Sequence, residues 1–223
     1  KIAALAMIEP NCGSDLQAIK TYAEKDGNQY KINGSKTFIT NGGSADLICL
    51  AAKTDPNQGS KGVSLLMVET DGLEGFRRGT PLKKVGMKGN DTAELFFENV
   101  KIPQTNLLGP EEGKGFYQLM KQLPWERLYI GIAGLGAADC ALDETIKYVK
   151  ERKAFGKRVF DFQNTKFKLA ELKTKVEVTR SFINDCIQKL ISGELDAATA
   201  SMAKYWGSQI QGEVLDECVQ LHG

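Results

Sequence analysis

Glycine and proline are spread unevenly along this chain, and that asymmetry limits the folds open to it more than any other feature. Of the 23 glycines, 15 fall in residues 1–115, as do five of the six prolines. Both residues punctuate a chain at turns and are costly inside helices. The first half therefore carries the turn chemistry of a β domain, and the second half lacks it. With 223 residues, two domains are expected, 1–110 and 111–223, meeting near Gly109-Pro110-Glu111-Glu112-Gly113.

In the first half, Asn33-Gly34 lies between two alternating segments over Tyr30–Ile39, a pattern that predicts a β-hairpin. Further strands are predicted at 2–8, 17–24, 47–53, 62–69 and 93–98, a spacing that suits a small antiparallel barrel or sandwich. The second half changes period. Leu169, Leu172, Val176, Thr179, Ile183, Cys186 and Leu190 recur in steps of three and four, the stripe of a long helix. Ser192-Gly193 is expected to end that helix and Asp196 to cap the next, which runs toward Leu221. A third helix is predicted over roughly 113–151. The expected class is α+β: an antiparallel β-barrel or sandwich, then an antiparallel helical bundle.

Composition removes several function classes. Lys and Arg total 29 against 28 Asp and Glu, a net charge of +1, without the basic excess of a general nucleic-acid binder. The five cysteines at 12, 49, 140, 186 and 218 form no C-x-x-C pair, and His222 is the only histidine, so no zinc site is expected. Their odd, scattered count reads as reduced thiols in an intracellular protein. The apolar runs in the strand regions, Ile2 to Ile8 and Leu47 to Ala52, are far below the roughly 20 residues of a membrane helix, so no integral membrane segment is expected. The chain opens on Lys1-Ile2-Ala3 without a Met, so a leader could precede it.

Three segments have the makings of a site. Glu9-Pro10-Asn11-Cys12-Gly13-Ser14-Asp15 is a polar turn whose backbone amides and hydroxyl could hold an anionic or heteroaromatic ligand. Phe38-Ile39-Thr40-Asn41-Gly42-Gly43 combines an aromatic ring, a hydroxyl and two glycines. Glu151-Arg152-Lys153-Ala154-Phe155-Gly156-Lys157 gathers cations where a helix ends. Each alone is as readily structural: a strand-end turn, a hairpin closure, a helix cap.

As an ordered set they mean more. Glu-Pro-x-x-Gly-Ser-Asp, Phe-Ile-Thr-Asn-Gly, Arg-Lys-Ala-Phe-Gly-Lys and Gln220-Leu221-His222-Gly223 occur in the order and spacing of the acyl-CoA dehydrogenases, which the chain resembles over nearly its whole length. Leu123-Pro124-Trp125-Glu126-Arg127-Leu128 is most similar to the long-chain and isovaleryl branches. The resemblance implies the family's middle β domain and part of its C-terminal helical domain, without its N-terminal helical domain. It implies FAD-dependent oxidation of acyl-CoA thioesters to 2-enoyl-CoA, with electrons passed to an electron-transfer flavoprotein. It further implies a homo-oligomer built as a dimer of dimers, in the bacterial cytoplasm or the mitochondrial matrix.

Residue roles follow from the same resemblance. Oxidation at C2–C3 needs a base for the α-proton and a hydride acceptor, and no ordinary side chain accepts hydride. The base is expected to be Glu126. Met7, Ile8, Gly13, Ser14, Phe38, Ile39 and Thr40 are expected around the flavin ring, Thr40 near its reactive nitrogen and Phe38 over one face. Arg152, Phe155, Gln163, Gln220 and Gly223 are expected to reach the adenine side of a neighbouring subunit's cofactor, where an arginine fork suits phosphate. Ser14, Ser60, Lys61, Tyr117, Pro124 and Arg127 are the expected acyl-CoA contacts. Pro124 also suggests a kink or break that would turn Glu126 toward the ligand. Two positions depart from the family pattern: Ile8 stands where Ser or Thr is usual, and Cys12 where Gly or Ala is common. Ile8 brings no hydroxyl, so a backbone amide must replace one flavin hydrogen bond. Two other functions fit the same residues: a flavin oxidase or monooxygenase on this fold, and a non-catalytic CoA- or lipid-binding scaffold.

Overall fold

In the computed structural model, which describes residues 1–223, the chain forms two compact units, Lys1–Leu119 and Met120–Gly223. The first is a single curled sheet of seven strands: β1 (Ala3–Ala6), β2 (Tyr22–Asp26), β3 (Gln29–Thr40), β4 (Leu47–Lys53), β5 (Val63–Glu69), β6 (Phe76–Arg78) and β7 (Thr92–Pro103). It is mixed, where the turn pattern predicted an antiparallel one. β1 runs parallel to β4 over Leu47–Leu50, and β2 meets the same edge of β4, also parallel, at Lys53. The two short strands thus share one lane of the sheet, and the chain from Met7 to Thr21 leaves that lane and returns. β5 lies on the other side of β4, and β3 joins β2 to β7.

The hairpin turn is not at Asn33-Gly34. It is Gly27-Asn28, with Asp26 opposite Gln29, and β3 continues through 33–34 with a register shift against β7 between Ile32 and Gly34. Gly34 answers a different need. A Cβ there would meet the Thr21 Cα at 2.7 Å, so glycine allows the returning excursion to pack against β3. The strand predicted over 17–24 is a 3-10 turn at Leu16–Ala18 followed by β2, because Glu9 takes the amides of Lys20 and Thr21 before sheet pairing starts. Tyr30, Ile32, Ile48, Leu50, Leu66, Val68, Leu95, Phe97 and Val100 fill the core.

In the second unit, helix α1 (Gly115–Glu151) begins before the unit's first residue and runs unbroken through Pro124. The expected break is absent: the helix tolerates the one missing N–H donor of the proline. A two-stranded hairpin, β8 (Lys153–Ala154) and β9 (Lys157–Arg158), leads to α2 (Gln163–Ile191) and α3 (Ala197–His222). Six of the seven residues in the predicted stripe are buried, Leu190 being the half-buried exception. Gly193 leaves α2 with φ 76°, and Asp196 caps α3 by accepting from the amides of Ala198 and Thr199. Gly131 and Gly134 of α1 meet Ala203 and Gly207 of α3 backbone to backbone: a Cβ on Gly207 would sit 2.7 Å from the Gly131 Cα.

Candidate functional site

Two separated lengths of the sheet unit converge on one cavity of about 330 Å³, lined by Ala3–Leu5, Met7 and Ile8 on one side and Phe38–Asn41 on the other. The second wall exists because β3 is irregular. Lys36 pairs with Leu95 and Ile39 with Ala93, so one extra residue is accommodated between them. This bulge puts Phe38 at φ 55° with 64% of its surface exposed, and it switches the buried phase of the strand from even to odd positions, so that Ile39 is buried. Five expected flavin contacts, Met7, Ile8, Phe38, Ile39 and Thr40, are thereby brought together. Among the hydrogen bonds of the protein, the Thr40 hydroxyl and the amides of Met7 and Ile8 find no acceptor. An apolar wall with a row of free donors suits a planar heteroaromatic ring with acceptor atoms along one edge, so these residues fit a flavin.

Gly13 and Ser14 lie elsewhere, on the exposed turn after Cys12 and outside that cavity. The 3-10 turn that follows them, Leu16–Ala18, packs against the Gly59–Gly62 turn that carries Ser60 and Lys61. Tyr117 is half exposed in the first turn of α1, edge-on to Phe116.

The excursion was expected to be a polar ligand turn, yet its first residue is spent inside the protein. Glu9 is 7% exposed and pairs at 2.9 Å with Lys36 Nζ, which is 0% exposed. Burial pushes the Glu9 carboxyl up, but the Lys36 ammonium and hydrogen bonds from Thr21 and Lys20 outweigh it and hold the group below the usual carboxylate range. Burial likewise lowers Lys36, only partly offset by Glu9. A carboxyl depressed on folding stabilises fully above its unfolded value, and that contribution is lost as pH falls through the lowered one. Thermal melts between neutral and acid pH should therefore show a steeper acid decline in the wild type than in Glu9→Gln; identical slopes would refute it. The pair was missed in the sequence, although one signal was present: Lys36 is in phase with the inward residues Tyr30 and Ile32.

In the helical unit, Glu126 lines a cavity of about 310 Å³ with Trp125, Arg127, Tyr129, Ile130 and Lys204. The Trp125 and Tyr129 rings stack at 5.9 Å. Arg127 donates to Ser201 Oγ at 3.0 Å and Lys121 is exposed, so neither cation pairs with Glu126, whose carboxylate has no partner. Pro124, two residues earlier, is half-buried. Lys204, from the facing helix α3, is a cavity residue the sequence did not reveal.

Arg152, Phe155, Gln163, Gln220 and Gly223 gather at the opposite end of this unit, where α1 and α3 end and α2 begins. His222 stacks on Tyr148 at 4.1 Å and fixes the end of α3 beside that of α1. Arg152 follows α1 directly, its amide donating to the Tyr148 carbonyl, while Lys153, Lys157 and Arg158 sit on the β8–β9 hairpin. Its turn residues Phe155 and Gly156 have φ of 52° and 77°, and Phe155 is 95% exposed. Arg158 is tied to Asp161, whereas Arg152 is exposed and unpaired. Along α1, the 25 residues from Glu126 to Glu151 span about 38 Å.

A curled mixed sheet with a bulged aromatic–hydroxyl wall, followed by three long helices, defines a class that comparison with known families resolves. The middle-domain model of acyl-CoA dehydrogenase matches residues 4–100 and the C-terminal-domain model matches 113–223, so the chain belongs to the acyl-CoA dehydrogenase family. Members of this family are flavoproteins. Among its relatives is the mitochondrial long-chain specific acyl-CoA dehydrogenase of Sus scrofa, 51% identical over 100% of this chain and 52% of that protein. A crystal structure of acyl-CoA dehydrogenase from Geobacillus kaustophilus superposes with a TM-score of 0.96 at 50% identity, covering 99% of this chain and 58% of that one. A structure described as PigA with FAD and proline gives 0.92 at 30% identity, over 99% of this chain and 57% of that one. The chain thus spans about half the length of the relatives it matches.

Proposed function

We propose that this chain is the flavin-binding and base-bearing part of an enzyme that oxidises acyl-CoA thioesters to trans-2-enoyl-CoA with FAD. The observation that carries this reading is the convergence of Met7 and Ile8 with the bulge at Phe38–Thr40 on one cavity. When bound there, FAD supplies the hydride acceptor for the β-carbon. Phe38 covers one face of the ring, and Thr40 with the amides of Met7 and Ile8 donates to its acceptor edge. Ile8 has no hydroxyl, so its backbone N–H takes over that hydrogen bond. Glu126, which has no ion-pair partner in a cavity shared with Trp125, Tyr129, Ile130 and the cations Arg127 and Lys204, removes the α-proton. The Gly13–Ser14 turn and the adjoining Ser60–Lys61 loop bind the CoA portion, and Tyr117, Pro124 and Arg127 contact the substrate from the helix. Identity of 51% with a long-chain specific dehydrogenase supports a fatty acyl substrate. An electron-transfer flavoprotein would serve as electron acceptor, in the bacterial cytoplasm or the mitochondrial matrix.

The test is a visible flavin spectrum on the intact protein that carries this chain, followed by dye reduction with a series of acyl-CoAs. A colourless protein, or oxygen consumption in place of dye reduction, would count against it.

Arg152 and its neighbours lie about 38 Å along α1 from Glu126, at the other end of the helical unit. They bind the adenine side of a second copy's FAD, within a dimer of dimers. Arg152→Ala is then expected to lose flavin on dialysis, whereas Arg158→Ala, whose guanidinium is committed to Asp161, keeps it. Equal flavin content in the two variants would rule out the shared site.

A further inference from the structure

We propose that Lys36 is a positioning residue for the flavin: buried behind the cavity, it aims the Ile8 amide at the ring. This rests on the reading of the Met7–Thr40 cavity as the flavin site. Lys36 is the last regularly paired residue before the bulge in β3, is fully buried and is not itself part of the cavity lining. Its ammonium donates to the Met7 carbonyl at 2.9 Å and to Glu9 Oε1 at 2.9 Å. The next amide, that of Thr37, donates to the Ile8 carbonyl at 2.9 Å. Met7 and Ile8 of the first wall, with Glu9 next to them, are therefore tied to two successive residues at the root of the second.

Direction follows from peptide geometry. A trans peptide is planar, with its C=O and N–H pointing to opposite sides. Holding the Met7 carbonyl toward Lys36 turns the N–H of the same peptide unit, that of Ile8, away from Lys36, and that N–H has no acceptor in the protein. Ile8 borders the cavity and Lys36 does not, so the aimed side is the cavity side. Glu9 is what keeps the ammonium in place. It is itself fixed by the amides of Lys20, at 2.6 Å, and Thr21, at 2.9 Å. An apolar residue at position 36 could fill the same volume, but it could not orient a carbonyl.

The experiment uses Lys36→Met and the double variant Lys36→Met/Glu9→Gln in the intact protein. The double variant leaves no charge buried alone, and so separates positioning from simple loss of the fold. Both are expected to bind FAD about tenfold more weakly, the worth of one well-aimed hydrogen bond. The visible absorption bands of the bound flavin should shift, and kcat should fall with little change in KM for acyl-CoA. Thermal melts of the apo forms show how much protein is folded. A pair that only stabilises the fold would lower Tm and leave affinity and spectrum of the folded protein unchanged, and that result would overturn the proposal. A wild-type protein that binds no flavin would instead remove the functional reading beneath it.

Discussion

Glu126→Gln in the intact protein should keep its flavin and still bind acyl-CoA, yet oxidise it roughly 10²–10⁴-fold more slowly, the usual worth of a positioned general base. Glutamine preserves the shape and hydrogen-bonding reach of the side chain but cannot accept the α-proton. The surroundings sharpen the expectation. Glu126 is half-buried in a cavity it shares with Trp125, Tyr129, Ile130 and Lys204, and Arg127, the adjacent cation, is engaged with Ser201. No ion pair is broken by the substitution, so a loss of activity would not trace to a collapsed salt bridge. Stopped-flow measurement of acyl-CoA-dependent flavin bleaching isolates the step. Near-normal bleaching would assign the base to another carboxylate.

Gly207→Ala should have the largest effect on stability. Its new Cβ would lie 2.7 Å from the Gly131 Cα and 2.7 Å from the Gly131 carbonyl oxygen, and neither is a flexible side-chain end that could move aside. Either α1 and α3 separate, losing contacts along Leu128, Leu135, Ala203 and Ile210, or the helices distort. Overpacking of this kind costs about 1–3 kcal/mol, enough to lower Tm by roughly 5–20 °C in a unit of this size. Gly136→Ala is the matched control. It lies on α1, the helix that Gly207 packs against, with nothing within 4 Å of the new Cβ, so better helix propensity should leave Tm unchanged or raise it. Equal Tm values for the two variants would contradict the close crossing.

How far the sequence reveals this molecule depends on whether the relevant signal is local. The stripe from Leu169 to Cys186, the Asp196 cap and the Ser192-Gly193 stop are set by neighbours within a few turns, and the structure has them where the sequence places them. The strand lanes are not local. Whether β1 and β2 run parallel to β4 depends on pairings dozens of residues apart, and turn spacing carries no trace of them. Asn33-Gly34 misled for a related reason: glycine there serves a tertiary approach by Thr21, which imitates turn chemistry in one dimension. The candidate site divides the same way. Motif order pointed to Met7, Phe38, Thr40 and Glu126, but Lys204 enters the Glu126 cavity only through helix packing. Lys36 has its partner Glu9 27 residues earlier, so no local pattern joins the two.

That buried pair also constrains the route by which the cavity can form. Glu9 alone in an apolar interior, or Lys36 alone, is a species the chain avoids, since an uncompensated buried charge is far costlier than a paired one. The excursion cannot dock before β3 is present, and the bulge cannot bury its lysine before the excursion arrives. The two walls are thus kinetically coupled. A chain with only one wall in place is therefore expected to be scarce, since it would leave one charge buried without its partner.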